Sequence, residues 1–533
     1  MTANQNATLL VRWPILAAFV FLGLSLILFG RNLDFYLYAH PDEPNKAAQI
    51  TKNEYNFHHP MLMIRTARIV ADFSGKAADF TFVMLAGRWA SVIYASLAVF
   101  LFVLINGRLH GPLVAVATGI FLISNPHLFD LAHYFKEDPC LLFGVALALF
   151  AMLLYSEKPR AVEAGFVGLA CAVALSAKYS AAIVLPFAVY LLVAYSKNKR
   201  RDLAVAAACF CAGVFLINFP AFEALAKASG SLDREIDSLT GQSKISTRSV
   251  PHGVYSNIYW QSATPVLIGL LGVYGFDVFK RRFQLAPMER VMIFLPILYV
   301  AVLSFLPKTH HRYFLPVAVL LACLSAVGLK NILKIRHGFI LVVALILLSV
   351  AWQAPRLFAA DRGFADDHRK ELLAFIEKEI SGESKILQDK RVEVPKADVR
   401  NLENRPIQAS DTLESLREEG FTHIIVSSKH YGRFFLKSSK PTKGNEEEFE
   451  QMKNFYERLF REGRLLKEWD TGDNLYLAPP FRVYSIQSKT LVGELQGVDE
   501  AFPEGSPRIL RDYCATTILT YFSAARRVLL EHF

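Results

Sequence analysis

FVMLAGRWASVIYASLAVFLFVLIN, residues 82–106, carries one charged side chain, Arg88. Wound as a helix, a stretch of this length crosses the roughly 30 Å hydrocarbon core of a bilayer. A helix also satisfies its backbone groups internally, as a segment surrounded by lipid must. Working outward, comparable runs occupy 9–30, 111–129, 138–155, 161–178, 180–196, 202–220, 262–279, 288–306, 313–329 and 338–354. The expectation is a polytopic α-helical membrane protein of about eleven transmembrane helices, each near the roughly 17–25 residues a crossing needs. A chain of 533 residues that is 53% hydrophobic fits that class and no single soluble domain. The first run follows a nearly uncharged start and is too long for the apolar core of a cleaved signal, so it is expected to be retained.

The net charge of +10 does not point to nucleic acid, because the basic residues sit between the apolar runs rather than in an exposed stripe. Arg108, Lys158 with Arg160, Lys197–Arg201, Lys280–Arg282 and Lys330–Arg336 fall in alternate short loops. By the positive-inside rule these loops are cytoplasmic. Segments 31–81, 126–137, 221–261, 307–312 and everything after about 355 then lie on the opposite side. Cys140, Cys171, Cys209, Cys211 and Cys323 lie in or beside the apolar runs, which leaves Cys514 alone in the polar part and no disulfide framework there. The chain therefore divides into a membrane module over 1–355, an α/β domain over 356–490 and an extension over 491–533. The α/β domain has strand-like Ile424-Ile425-Val426 and Asn474–Leu477 and helix-like Glu446–Arg461. The extension has helical spacing suited to an amphipathic helix over 509–533. Segment 221–261, polar and long, is expected to act as a lid, with Tyr255, Tyr259 and Trp260 near its end.

The residues able to do chemistry concentrate in the outer segments. Tyr38-Ala39-His40-Pro41-Asp42-Glu43-Pro44 holds two adjacent carboxylates between prolines, and a carboxylate there can act as general base for an acceptor hydroxyl. The plainer alternative is that Asp42 caps the helix that follows. Lys136-Glu137-Asp138-Pro139 repeats the choice: the acids bind sugar or acceptor, or Asp138 caps a helix whose first residue is Pro139. Arg88, Lys178, His311 and Arg312 fall near outer helix ends, where fixed positive charge stabilises a phosphate and where such side chains also snorkel to headgroups. His58, His59, His310 and His311 lack the spacing of a metal site.

In order and topology these motifs resemble the protein O-mannosyltransferase-like glycosyltransferases of the GT-C fold, which include enzymes that add aminoarabinose to lipid A. The correspondence runs through Asp42-Glu43, His59-Pro60-Met61-Leu62, Arg88, Lys136-Glu137-Asp138-Pro139, Lys178-Tyr179 and His311-Arg312-Tyr313-Phe314-Leu315-Pro316. It continues in the outer domain with Gly420–Ser428 and Tyr431-Gly432-Arg433-Phe434. The resemblance implies a polyprenyl-phosphate sugar donor and an acceptor hydroxyl on a glycan, lipid or protein. It also implies inverting displacement with Asp42, then Glu43, as base. Arg88, Lys178, His311 and Arg312 would hold the donor phosphate, and Glu137, Asp138 and His59 would contact sugar or acceptor. That branch works without an obligatory metal, so no cofactor is expected, although related oligosaccharyltransferases use a divalent cation. The implied location is a bacterial inner membrane, with site and outer domain extracytoplasmic.

Two other classes make different demands. A flippase or transporter would show internal repeats and mid-membrane ionisable positions, neither of which is visible. An oligosaccharyltransferase or ligase with a pyrophosphate-linked donor would favour a Trp-Trp-Asp motif, where this chain has only Trp469-Asp470. The sugar and the acceptor are matters of pocket shape, which no motif spells out.

Overall fold

The computed structural model describes residues 3–35, 40, 42–240, 245–246, 263–304, 311–365, 368–390, 392, 394, 399, 401–435, 440–441, 444–469 and 480–487. Expectations for Tyr255, Tyr259, Trp260, His310, Asn474–Leu477 and the extension 491–533 lie outside them.

Each apolar run is helical. In chain order the helices are α1 (Ala3–Phe29), α2 (Glu43–Thr51), α3 (Leu62–Phe73), α4 (Phe80–His110), α5 (Pro112–Ile123), α6 (Pro126–Ala132) and α7 (Glu137–Glu157). They continue with α8 (Ala161–Ala177), α9 (Leu185–Tyr195), α10 (Lys199–Ile217), α11 (Phe219–Glu223), α12 (Leu225–Thr240), α13 (Pro265–Lys280), α14 (Pro287–Ser304), α15 (Leu315–Ile332) and α16 (Gly338–Ala365). Among the described residues only five helical stretches are long and apolar enough to cross on their own, or six if α5 and α6 form one bent span. The expectation of about eleven complete crossings therefore exceeds the number that the described helices support. The reason is local. Asn125 accepts hydrogen bonds from the amides of His127 and Leu128, and Pro126 opens a new helix, so α5 and α6 meet at 61°. The run 180–196 likewise begins as a 3-10 turn, Tyr179–Val184, before α9.

The helices pack through small residues, since lipid supplies no hydrophobic drive between them. A side chain at Gly168 of α8 would meet the backbone of Ala206 in α10, so only glycine permits that approach. α4 and α7 run in the same direction: both start beside the first outer segment, and Arg108 near the end of α4 pairs with Glu157 at the end of α7 at 3.3 Å. Basic loops therefore gather at one end of the bundle and the acidic motifs at the other. The boundary expected at 355 falls inside α16, which continues through Pro355 to Ala365.

Beyond α16 lies the α/β region. Five strands order as β3-β2-β4-β7-β6, with β2 (Lys385–Gln388) parallel to β3 (Leu402–Asn404) and to β4 (Phe421–Ser427). β7 (Phe481–Ser485) runs antiparallel to β4 and to β6 (Arg464–Glu468). Helix α17 (His368–Glu379) packs Leu372 and Ile376 on one face, against Ile386, Ile425 and Val483. The other face, with Leu387, Ile424 and Val426, is covered by α18 (Leu413–Glu418), α19 (Ser428–Phe435) and α20 (Glu446–Glu462). Burial on both faces explains why Ile424-Ile425-Val426 within β4 reads as a continuous apolar run rather than an alternating one. β1 (Ile245–Ser246), from the segment after α12, pairs antiparallel with β5 (Lys440–Pro441) of this region.

Candidate functional site

The site forms where α2, the start of α4, the loop before α7 and two helix breaks meet. On α2 the buried residues are Glu43, Lys46, Ala47, Gln49 and Ile50. Positions 43, 46, 47 and 50 make one helical stripe, so this stripe carries a carboxylate and an ammonium into the interior.

Glu43 is fully buried and accepts from Arg88 Nε at 3.1 Å, from Arg88 Nη2 at 3.0 Å and from the Phe135 amide at 2.7 Å. The same guanidinium donates to the carbonyls of Leu33 at 2.8 Å and Phe35 at 2.7 Å, and lies 3.5 Å from the centre of the Phe35 ring. Arg88, itself fully buried, thus knots the start of the first outer segment to α2 and α4. Gly87 makes room for this: a Cβ there would collide with the ring of Phe135. Arg88, expected to hold the donor phosphate, is here paired with Glu43, and Glu43 is a partner of that knot. Desolvated charges inside a membrane protein persist when paired in this way.

Asp42 behaves differently from its neighbour. Although it stands at the cap position of α2, its side chain makes no capping hydrogen bond. The carboxylate instead pairs with Lys136 and is 42% exposed, whereas the Lys136 side chain is buried. Burial works to raise the Asp42 pKa, but the charges of Lys136 and Lys46 hold it well below the carboxylate range. Burial first, then Lys46 and Arg312, push Lys136 down to about 8, against the pull of Asp42 and Glu137. Burial also keeps His40 far below its ordinary value, so its neutral Nδ1 can accept the Asp42 amide at 3.2 Å.

Glu137 and Asp138 open α7, with Lys136 at its cap and no side-chain capping bond. The capping alternative for Asp138 therefore does not hold here. Its Oδ1 accepts from Lys178 Nζ at 2.7 Å, and its Oδ2 is buried with no hydrogen-bond partner among the described residues. Glu137 Oε1 forms an ion pair with Lys46 Nζ at 3.0 Å outside hydrogen-bond geometry, and Lys46 donates to the Phe135 carbonyl at 2.9 Å. Burial lowers the pKa of half-buried His59, while the charge of Glu137 works to raise it.

Lys178 sits at the break between α8 and its 3-10 turn, 4.5 Å above the Tyr313 ring. Arg312 lies 5.6 Å from the same ring, within the 3-10 turn His311–Phe314, and its charge reaches His40 and Lys136. The His311 side chain is outside the described residues. Lys46 is the residue that sequence reasoning passed over. Its signal was available, three positions after Glu43 on the stripe that also holds Ala47 and Ile50.

Among the described residues Asp42, Glu43, Glu137 and Asp138 face Lys46, Arg88, Lys136, Lys178 and Arg312, four acids against five bases. Among the described residues no three His, Cys, Asp or Glu side chains group as metal ligands. An enclosed, net-positive cluster with one half-exposed carboxylate and two unsatisfied acceptor oxygens suits a polar ligand that is anionic at one end and hydroxylated at the other.

Residues 75–221 match the family of dolichyl-phosphate-mannose-protein mannosyltransferases. No curated protein matches the chain by sequence. Among solved structures, the fold is similar to that of ArnT from Cupriavidus metallidurans in the apo state, at 14% identity and TM-score 0.50, covering 89% of this chain and 98% of that one. It is also similar to the apo oligosaccharyltransferase of Archaeoglobus fulgidus, at 11% identity and TM-score 0.51, covering 79% and 70%. The archaeal oligosaccharyltransferase AglB from Archaeoglobus fulgidus, in complex with an inhibitory peptide and a dolichol-phosphate, matches at 11% identity and TM-score 0.50, covering 89% and 75%. At such identities the likeness is one of fold.

Proposed function

We propose that this chain, similar over residues 75–221 to the dolichyl-phosphate-mannose-protein mannosyltransferases, transfers a sugar from a polyprenyl-phosphate donor to an acceptor hydroxyl by one inverting displacement on the extracytoplasmic side. The observation that carries the proposal is Asp42, half-exposed at the mouth of a buried cluster with excess positive charge.

The leaving phosphate departs already ionised, so the displacement needs no general acid but does need a base for the acceptor. Asp42 takes that proton. Paired with Lys136 it is too weak a base, so the donor has to change the pairing. A phosphate entering the cluster draws Lys136 toward itself, joined by Lys178 and Arg312, and Asp42 regains basicity as its partner leaves. Glu137 Oε1 and Asp138 Oδ2 accept hydrogen bonds donated by hydroxyls of the sugar or acceptor, which satisfies two buried oxygens. His59 stands beside Glu137 for the same purpose, His311 flanks Arg312, and the Glu43–Arg88 pair holds the first outer segment in place.

Protein reconstituted in liposomes with a polyprenyl-phosphate-linked sugar and candidate acceptors tests the class. Free polyprenyl phosphate should accumulate as sugar leaves. Donor lipid that crosses the bilayer with its sugar still attached would instead make the protein a flippase.

Lys178 contributes a charge-assisted contact, and such bonds are worth about 1.5–3 kcal/mol. Lys178→Met should therefore lower turnover by roughly tenfold to a hundredfold, and Lys178→Arg should restore part of it. Equal activity of Lys178→Met and wild type would remove this residue from the cradle.

We also propose that no divalent metal is required. In support, Asp42, Glu137 and Asp138 each face an ammonium group that a metal ion would have to displace. Chelation with EDTA should leave the rate of sugar transfer unchanged. A loss that returns with added Mg²⁺ or Mn²⁺ would point to an oligosaccharyltransferase-like site.

A further inference from the structure

A second buried charged cluster lies outside the membrane, at the C-terminal ends of the three parallel strands. Asp389 directly follows β2 and is fully buried. Its Oδ1 accepts from the amide of Lys390 at 2.7 Å and from that of Ile407, past the end of β3, at 3.1 Å. Its Oδ2 accepts from His430 Nδ1, in the helix after β4, at 2.8 Å and from the Tyr456 hydroxyl at 2.6 Å. One carboxylate therefore draws together the loops that leave all three parallel strands.

The same contacts fix the state of His430. With Nδ1–H committed to Asp389, Nε2 is left as an acceptor, and Arg433, one turn later on α19, donates to it. A neutral imidazole orients a guanidinium without cancelling its charge. Arg433 is half-buried, and Lys390 on the adjoining loop is exposed. In open α/β sheets, ligands bind outside the carboxyl ends of the strands, at the point where connections leave in opposite directions. Here β2 lies between β3 on one side and β4 on the other, so that point is the one Asp389 organises.

We infer that Arg433, aimed by the Asp389–His430 pair and flanked by Lys390, binds a phosphate or carboxylate group of the acceptor at the carboxyl edge of this sheet. The link to an acceptor rests on the glycosyl-transfer proposal; the anion site does not. His430 is a positioning residue in this arrangement, and Arg433 makes the contact. A planar guanidinium suits both anions through paired hydrogen bonds.

The test is direct binding, which needs no sugar transfer and so fails or succeeds independently of the enzymatic proposal. Inorganic pyrophosphate and citrate are titrated separately into the full-length protein in non-ionic detergent, followed by calorimetry. Wild type should bind at least one, and the preference tells phosphate from carboxylate. Arg433→Gln should weaken binding roughly tenfold or more, while Arg68→Gln, an arginine of the membrane module, leaves it unchanged. His430→Gln, which keeps an acceptor for Arg433, should retain more affinity than His430→Phe. Lys390→Gln, at an exposed position that tolerates change, should weaken binding several-fold even if Arg433→Gln fails to fold. No binding by wild type, or wild-type affinity in Lys390→Gln together with any folded Arg433 variant, overturns the inference.

Discussion

Asp42→Asn is expected to abolish measurable sugar transfer while the protein still folds. Loss of a positioned general base costs roughly 10²- to 10⁴-fold in rate. Folding should survive because the carboxylate is half-exposed and does not cap α2, and because the amide oxygen can still accept from Lys136. The pH profile of the wild type supplies an independent check. Asp42 sits below the carboxylate range, so it remains ionised and contributes no acidic limb near neutrality. Lys136, pushed down to about 8, carries its ammonium below that pH and loses it above, so activity should fall on the alkaline side. Lys136→Arg should move that limb upward, since a guanidinium does not deprotonate there. An Asp42→Asn protein with normal turnover would eliminate the assigned base, and an alkaline limb unmoved in Lys136→Arg would detach Lys136 from the phosphate.

The second large effect is on stability. Removing one member of a buried, hydrogen-bonded ion pair strands the other charge, at a cost of about 3–5 kcal/mol. Arg88→Met should leave Glu43 uncompensated and the Leu33 and Phe35 carbonyls without their donor, so little folded protein is expected after detergent extraction. Glu43→Gln should be milder, since the amide keeps an acceptor for Arg88 or for the Phe135 amide. The double variant Glu43→Leu with Arg88→Met should be more stable than Arg88→Met alone, because no charge is then left unpaired. Thermal denaturation of the purified proteins measures this. A stable, well-folded Arg88→Met protein that has lost only donor binding would return Arg88 to the phosphate, where its position in the sequence first suggested it.

Several features of the fold were legible before any coordinates. The single charge in residues 82–106, the length of the apolar runs and the alternation of basic loops sufficed for the membrane class, since a bilayer imposes length and charge rules on any chain that crosses it. The apolar run within β4 marked the outer α/β region, because a strand buried on both faces needs no alternation. Broken spans were harder to see. Asn125-Pro126 is a bend by its local chemistry, but nothing in residues 111–129 states whether the chain bends within the bilayer or crosses it.

The candidate site divides in the same way. Sequence by itself determined which residue types stand near the outer ends of helices: Asp42, Glu43, Arg88, Glu137, Asp138, Lys178 and Arg312 all meet at one end of the bundle. It could not decide which cation answers which acid. Asp42 and Glu43 are neighbours of the same charge, and a helical turn points them in different directions, Glu43 inward to Arg88 and Asp42 outward to Lys136. Only tertiary structure made one of them a strut and left the other half-exposed for chemistry. Pairing energy depends on distance and desolvation, and both are set by how separate segments pack together rather than by the order of residues in any one of them.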